Sequence, residues 1–255
     1  MKVVAIIPAR MGSSRFFGKP MADLHGIPMI GHCYHRTNMC KDLFATYVAT
    51  CDEEIFDYIH SIGGKAVMTS KKHQHASDRT AEAMLKIEEE LGVGIDIVVM
   101  VQGDEPLVTP SMISDSLAPF GTDSSVKVVN LMGEIDTVSA FEDPNEVKVV
   151  VDKNNDAIYF SREAVPSRKK GIDDVPMLKQ VCIIPFKRDF LIEFNNTPES
   201  ELERIESVDM MRVIENGGSV RMVKTLEKNC SVDTEDDLKL AEKMFNHDKL
   251  IHLYK

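Results

Sequence analysis

The chain has 255 residues, of which 43% are hydrophobic and 28% charged, and its formal net charge is −11. This composition is typical of a soluble globular protein and argues against a general binder of nucleic acid or of anionic membranes, because such binders need a positively charged face. No apolar run approaches the roughly 20 residues of a membrane span. The first residues show no export signal, and the five scattered cysteines include no CxxC pair, so a reduced, cytoplasmic protein is expected.

Strand-like and helix-like segments alternate through the first 106 residues. Short apolar runs predict strands at 3–7, 45–50, 65–70 and 96–106. Amphipathic periodicity predicts helices at 28–40, 53–63 and 78–91. This alternation indicates an α/β protein whose mostly parallel sheet is covered by helices on both faces.

From about residue 124 the pattern changes. Closely spaced strand-like segments without room for crossover helices predict a mainly antiparallel insertion at about 124–190, within one domain spanning 1–255. A strand is expected at 181–186 within this insertion, and a helix at 206–218 and a strand at 220–225 are expected after it. Thr234 is expected to cap a closing helix. Residues 246–255 are interpreted either as an arm on a partner subunit or as disordered chain.

The segment PARMGSSRFFGKP, which follows the first strand, carries a local excess of positive charge. Arg10, Arg15 and Lys19 stand among glycines and serines in an otherwise acidic chain. Ligands of open α/β sheets bind beyond the carboxyl ends of the strands, and backbone N–H groups with cationic side chains suit phosphoryl groups. The segment lacks the GxxxxGK[ST] pattern of P-loop NTPases. It therefore predicts a phosphate-binding loop, with a merely basic surface loop as the alternative.

Two acidic segments predict the opposite half of such a site. QGDEP places Asp104 directly after a buried strand, and SVDTEDD places Asp233 between a strand-like segment and a helix. Carboxylates that face bound phosphates are typical Mg²⁺ ligands. The alternatives are an ordinary Asp-Gly turn and an N-terminal helix acid.

Taken together, these motifs resemble those of the 3-deoxy-manno-octulosonate (Kdo) cytidylyltransferases, also called CMP-Kdo synthetases. The matching stretches cover nearly the whole chain and are PARMGSSRFFGKP, VATCDEE, HQHASDRTAE, VQGDEP, NEVKVVVD, AIYFSRE and VDTEDDL. The resemblance implies a Rossmann-like nucleotidyltransferase, usually a homodimer, whose antiparallel insertion contributes to the acceptor site and the dimer interface. It implies a Mg²⁺-dependent reaction that joins CTP to an acidic sugar and releases pyrophosphate, within lipopolysaccharide or capsule synthesis.

The same resemblance assigns roles to residues by position. Catalytic roles are implied for Arg10, Lys19 and Asp104. CTP binding is implied for Pro8, Ala9, Arg10, Arg15, Lys19, Ala76, Ser77 and Arg79. Acceptor binding is implied for Gln102, Arg162, Gln180 and Asp209, and metal binding for Asp104 and Asp233.

The acceptor side departs from the family pattern. LKQVCIIPF and ESVDMMR stand where the family reads KHxGxYxY and ESLEQLR, and the changes include Gln180, Ile184, Asp209 and Met210. Fewer hydrogen-bonding side chains should alter which acceptor is selected. The acceptor is thus either Kdo or another acidic molecule, such as a different sugar acid or a phosphorylated or phosphonate acid. A regulatory nucleotide-binding protein without turnover, and a nucleotidyltransferase that uses another base, are further hypotheses.

Overall fold

A computed structural model describes residues 1–12, 16–172 and 174–255. The chain divides into two compact units, the first formed by Met1–Ser114 with Lys228–Lys255 and the second by Asp115–Glu227. Within the described ranges, no helix is both long enough and apolar enough to cross a membrane.

The first unit is built on buried parallel strands. Its strands are β1 (Val3–Ala9), β2 (Asp23–Leu24), β3 (Ile27–Pro28), β4 (Ala45–Thr50), β5 (Ala66–Met68) and β6 (Ile97–Val101). In the sheet β1 lies between β4 and β6, β5 pairs with β4, and all of these pairs are parallel. Every residue of β1, β4 and β6 is buried, as expected for parallel strands covered on both faces.

Helices occur in both units. In chain order they are α1 (Met29–Asn38), α2 (Glu53–Ser61), α3 (Ala76–Leu91), α4 (Pro110–Thr122), α5 (Val138–Glu142), α6 (Arg188–Asn196), α7 (Glu201–Glu206), α8 (Met210–Glu215) and α9 (Glu235–Phe245). The helices predicted from residues 28, 53 and 78 are confirmed as α1, α2 and α3. Thr234 caps α9 as predicted, because its side chain accepts a hydrogen bond from the Asp237 N–H and the Asp237 carboxylate accepts one from the Thr234 N–H.

The second unit contains a mainly antiparallel sheet. The strands of the second unit are β7 (Val129–Glu134), β8 (Lys148–Val151), β9 (Ala157–Ser161), β10 (Leu178–Val181), β11 (Ile183–Lys187) and β12 (Arg221–Lys224). One sheet has the order β12-β7-β10-β8-β9, in which β12 is parallel to β7 and the other pairs are antiparallel.

The helix predicted at 206–218 is present but shorter, as α8 (Met210–Glu215). Helix α7 ends at Glu206 and α8 begins at Met210, because Ser207 takes a left-handed conformation with φ of 54°. The chain is held in this break by Arg162, whose guanidinium donates hydrogen bonds to the backbone carbonyls of Glu206 and Ser207. The strand predicted at 181–186 is confirmed as β11, which Cys182 separates from β10.

Residues 246–255 are ordered rather than disordered, and their packing on a partner subunit stays a prediction. They fold back onto α1, where Asp248 forms an ion pair with Arg36 and the Tyr254 hydroxyl is hydrogen-bonded to His32. A short 3-10 turn at Ile251–Leu253 shapes this segment. The contacts join positions more than 200 residues apart, which local sequence patterns do not reveal.

Candidate active site

The loops that follow β1 and β6 meet at the carboxyl edge of the sheet. The two strands are parallel neighbours, with Val3 opposite Ile97 and Ile6 opposite Met100. A Cβ atom built on Gly103 would lie 2.9 Å from the backbone oxygen of Pro8, a distance that real Cβ atoms avoid. Glycine at this position therefore lets the QGDEP segment run directly against the end of β1.

Lys19, Asp104 and Asp233 come together in what we call the Lys19 cluster. The Lys19 Nζ lies 2.9 Å from Asp104 Oδ2 and 3.1 Å from Asp233 Oδ1. The side chains of the three residues are 12%, 20% and 24% exposed, respectively, so the cluster is largely shielded but open to solvent. One cation predicted to bind phosphate thus lies between the two acids predicted to bind metal.

Local backbone structure holds each member of the cluster. Asp104 and the strand-like segment before Asp233 are tied together, because the Val232 N–H donates to the Asp104 carbonyl at 2.9 Å. Lys19 begins a 3-10 turn directly after Gly18, whose φ is 73°. The Gly18 N–H donates to the Met11 carbonyl at 3.0 Å, and this bond closes the base of the loop that is predicted to bind phosphate.

The electrostatics of the cluster keep Lys19 charged. Burial alone would lower the pKa of Lys19, but the carboxylates of Asp104 and Asp233 outweigh burial and raise this pKa above its ordinary value of 10.5. At neutral pH the cluster therefore contains an ammonium group beside two carboxylates, an arrangement that can bind both phosphate oxygens and a further cation.

Arg10 lies at the exposed end of β1, beside the segment that leads into α3. Its Nη1 is 3.4 Å from the His73 carbonyl oxygen. The opening of the loop is fixed by Asp52, whose carboxylate accepts a hydrogen bond from the Met11 N–H at 2.8 Å. Sequence reasoning gave Asp52 no role, although it follows the carboxyl end of β4, next to β1, and the rule applied to Asp104 could have found it.

The other residues assigned to CTP lie in contrasting environments. Ala76 begins α3, where Ser77 and Arg79 are buried. Arg79 donates hydrogen bonds to the Thr69 hydroxyl and, at 3.4 Å, to the Ser70 carbonyl, so this guanidinium braces the chain between β5 and α3. Pro8 and Ala9 end β1, and Arg15 lies outside the described residues.

Of the residues assigned to the acceptor, Gln102 follows β6 in the first unit and the others lie in the second. The Arg162 guanidinium donates to the carbonyl oxygens of Pro144, Glu206 and Ser207 at 2.9, 2.7 and 3.3 Å. The Gln180 amide donates to Asn130 Oδ1 at 2.6 Å. Asp209 is the partly buried residue that precedes α8.

Two of the positions that depart from the family pattern belong to the interior. Ile184 and Met210 are both fully buried. Their side chains therefore contribute to packing in the core. The replacement of polar family residues at these two positions changes the interior of the protein and leaves its exposed surface unaltered.

Comparisons with known proteins show the family of the chain. The family model described as cytidylyltransferase matches residues 4–228. The 3-deoxy-manno-octulosonate cytidylyltransferase of Trichlorobacter lovleyi is 40% identical over 252 residues, covering 95% of this chain and 98% of the relative. The enzyme of the same name from Geobacter metallireducens is 38% identical over 255 residues, covering 96% and 98%.

A solved structure extends the likeness to three dimensions. The structure of CMP:2-keto-3-deoxy-manno-octonic acid synthetase complexed with CTP matches with a TM-score of 0.87 and 34% identity, covering 97% of this chain and 99% of the other. The expected α/β nucleotidyltransferase fold with its mostly parallel sheet is thereby confirmed. The chain belongs to the cytidylyltransferase family and, within it, to the 3-deoxy-manno-octulosonate cytidylyltransferases.

Proposed function

We propose that this chain transfers CMP from CTP to 3-deoxy-manno-octulosonate, forming CMP-Kdo and pyrophosphate. Relatives that carry the name of this activity match it over nearly their whole length, and a relative of known structure was solved with CTP. The observation that carries the proposal within the molecule is the Lys19 cluster at the carboxyl edge of the sheet.

The reaction requires that the acceptor and CTP be positioned and that the charge on the phosphate oxygens be stabilised. It does not require a covalent intermediate with the protein. An acceptor hydroxyl attacks the α-phosphorus, a new oxygen–phosphorus bond forms, and the bond to the bridging oxygen breaks as pyrophosphate leaves and the hydroxyl proton is lost. The Lys19 ammonium and the Arg10 guanidinium supply positive charge for the phosphate oxygens. Asp52 fixes the backbone at Met11 and so orients the start of this cationic loop.

The donor chemistry of the Lys19 cluster fits a magnesium ion. Asp104 and Asp233 are hard oxygen donors from separate segments, held side by side by a backbone hydrogen bond. A pair of carboxylates suits Mg²⁺, which is commonly bound through one or two carboxylates together with water and substrate phosphates. When bound, Mg²⁺ supplies charge neutralisation to the phosphate oxygens.

Arg162, Gln180 and Asp209 are proposed to serve the acceptor, together with Gln102. Arg162 still has N–H groups beyond the three that donate to carbonyls, and a guanidinium can bind a carboxylate. We further propose, from the family resemblance, a cytoplasmic homodimer that supplies CMP-Kdo to lipopolysaccharide or capsule synthesis. Light scattering after size-exclusion chromatography tests the dimer.

The function is tested by pyrophosphate release from CTP, Mg²⁺ and Kdo, with the product mass measured. CTP should be preferred over UTP, ATP and GTP at equal concentration, and Kdo over other sugar acids or phosphonates. A preference for another acceptor over Kdo, or for UTP over CTP, would reject the assignment. Tight CTP binding with no pyrophosphate from any acceptor would instead support a regulatory protein.

The metal site is tested by Asp104→Asn. Turnover should fall at least about 100-fold, as expected when a group acting on transition-state charge is lost. The free energy of unfolding should fall by about 1–3 kcal/mol, because the largely shielded Lys19 ammonium loses one charged partner but keeps Asp233 at 3.1 Å. Asp57→Asn, at an exposed position of α2, is the matched control and should leave turnover unchanged. Chelation by EDTA should stop the reaction reversibly. Full activity in Asp104→Asn would remove this residue from the site.

A further inference from the structure

Residues 246–255 form a segment that we call the clasp. A buried histidine connects the clasp to the 3-10 turn Lys19–Met21, which we call the Lys19 turn. The Tyr254 hydroxyl lies 2.7 Å from His32 Nδ1, and His32 Nε2 lies 2.7 Å from the Leu24 carbonyl oxygen. Leu24 ends β2, which only Ala22 separates from the Lys19 turn. His32 is fully buried, so both of its ring nitrogens are committed within the protein.

The direction of the two hydrogen bonds at His32 follows from the Leu24 carbonyl, which is one of its two partners. A carbonyl oxygen can only accept, so His32 Nε2 carries the proton and donates to Leu24. The remaining nitrogen, Nδ1, then accepts from the Tyr254 hydroxyl. Burial lowers the pKa of His32 to about 4 and raises the pKa of Tyr254 to about 12, so both groups are neutral near pH 7 and this direction persists.

A second buried connection joins the clasp to the segment that follows Asp104. Arg36 donates to both carboxylate oxygens of Asp248, at 2.9 and 3.0 Å. The same guanidinium donates to the carbonyl oxygens of Val108 and Leu107, at 2.6 and 3.3 Å. His32 and Arg36 are one helical turn apart on α1, so this face of the helix connects the clasp to the chain around two members of the Lys19 cluster.

One apolar cluster also lies under all of these segments. It contains buried side chains from the chain after Lys19, after Asp104 and before Asp233, and from α9 and the clasp. Its members are Leu24, Met29, Leu107, Cys230, Val232, Ala241, Phe245 and Ile251, with Phe16, Leu238, Met244 and Tyr254 packed against it. The clasp therefore shares its packing with the backbone that carries the Lys19 cluster.

We propose that His32 and Tyr254 are positioning residues that set the place of Lys19 through the Leu24 carbonyl. The inference rests on the proposed function, since it assigns these two residues a part in the same CTP-dependent reaction. Neither residue belongs to the Lys19 cluster, and both act through the chain that bears Lys19. The Leu24 carbonyl is the group through which His32 is hydrogen-bonded to the segment that follows Lys19.

The test compares four variants of the full chain. Tyr254→Phe removes only the hydroxyl, and His32→Leu removes the donor to Leu24. His32→Gln retains an N–H that can reach Leu24, so it is the conservative rescue. His35→Leu is the matched control, because His35 stacks on Tyr254 with ring centroids 5.2 Å apart but has no bond to Leu24.

The first measurement is hydrogen exchange, which does not depend on turnover. The amides of Met21 and Ala22 donate to the carbonyls of Gly18 and Lys19 and so report on the Lys19 turn. Their exchange should become at least about tenfold faster in Tyr254→Phe and His32→Leu, while the amides of β1 stay protected. It should return towards the wild-type rate in His32→Gln and stay unchanged in His35→Leu. Unaltered exchange in His32→Leu, equal acceleration in His35→Leu, or no rescue by His32→Gln would overturn the inference.

The second measurement separates kcat from KM. In His32→Leu kcat should fall about tenfold while the KM for the acceptor stays within about twofold, because a misplaced group weakens the transition state more than ground-state binding. His32→Gln should recover most of kcat. A lower melting temperature with kcat unchanged would reduce both residues to a structural role. Absence of turnover in the wild-type protein would overturn the proposed function, while exchange would still decide whether the clasp holds the Lys19 turn.

Discussion

Replacing Gly103 by alanine should damage both stability and catalysis, because Gly103 is where the two loops of the site touch. The added Cβ would lie 2.9 Å from the Pro8 carbonyl oxygen, 3.3 Å from Ile30 Cδ1 and 3.4 Å from Ala9 Cβ. Ordinary contacts begin at about 3.4 Å, so the carbonyl at the end of β1 must move by about 0.5 Å. Backbone cannot give way as a flexible side chain can, and overpacking of this kind costs about 1–3 kcal/mol.

The catalytic effect follows from the same displacement. A misplacement of about 1 Å can cost about 100-fold in rate, so a shift of half that size should lower kcat/KM about tenfold. Urea unfolding and pyrophosphate release measure the two effects, and the melting temperature should fall by about 2–4 °C for each kcal/mol lost. Gly121→Ala is the matched control, because no atom lies within 4 Å of its added Cβ at the exposed end of α4. A Gly103→Ala protein as stable and active as the wild type would refute this reasoning, as would equal damage from Gly121→Ala.

Two further predictions concern buried charge. Glu203→Gln should destabilise the second unit by about 3 kcal/mol in urea unfolding, because the buried Arg212 guanidinium loses its bidentate carboxylate. The control is Glu201→Gln, exposed on the same helix, which should change the free energy of unfolding by less than about 0.5 kcal/mol. Equal effects of the two substitutions would contradict a stabilising role for the buried ion pair. Acidification should weaken the first unit through His32, whose pKa is lowered from 6.5 to about 4 on folding. Between these values the unfolded chain binds the extra proton, so stability is highest above pH 6.5 and falls by roughly 3 kcal/mol as the pH approaches 4. Unfolding free energies measured across this range should slope less in His32→Gln, and an identical slope would refute the contribution.

The parallel core and the Lys19 cluster could be predicted because their signals are local. The strands β1 and β6 are uninterrupted apolar runs, and a charged residue just beyond each carboxyl end is visible without any structure. The rule that ligands bind at this edge then places Lys19 near Asp104. Their contact depends on β1 and β6 being neighbours, which the structure supplies.

The break between α7 and α8 and the clasp could not be predicted, because distant partners determine them. Ser207 is neither glycine nor proline, and its left-handed backbone is held by hydrogen bonds from Arg162, 45 residues away. The clasp is held by Arg36, 212 residues from Asp248. Pairings over such separations leave no periodicity in the sequence.

The position of Asp233 in the chain has a consequence for synthesis. Lys19 and its second carboxylate are 214 residues apart, and the whole second unit is translated between them. A nascent chain that has reached residue 227 contains Lys19 and Asp104 but not Asp233. Because long-range contacts form slowly and multi-unit chains fold as they emerge, the first unit gains its last packed layer only when residues 228–255 leave the ribosome. The Lys19 cluster thus acquires Asp233 only after the whole second unit has been translated, and a chain that stops before residue 233 lacks this carboxylate.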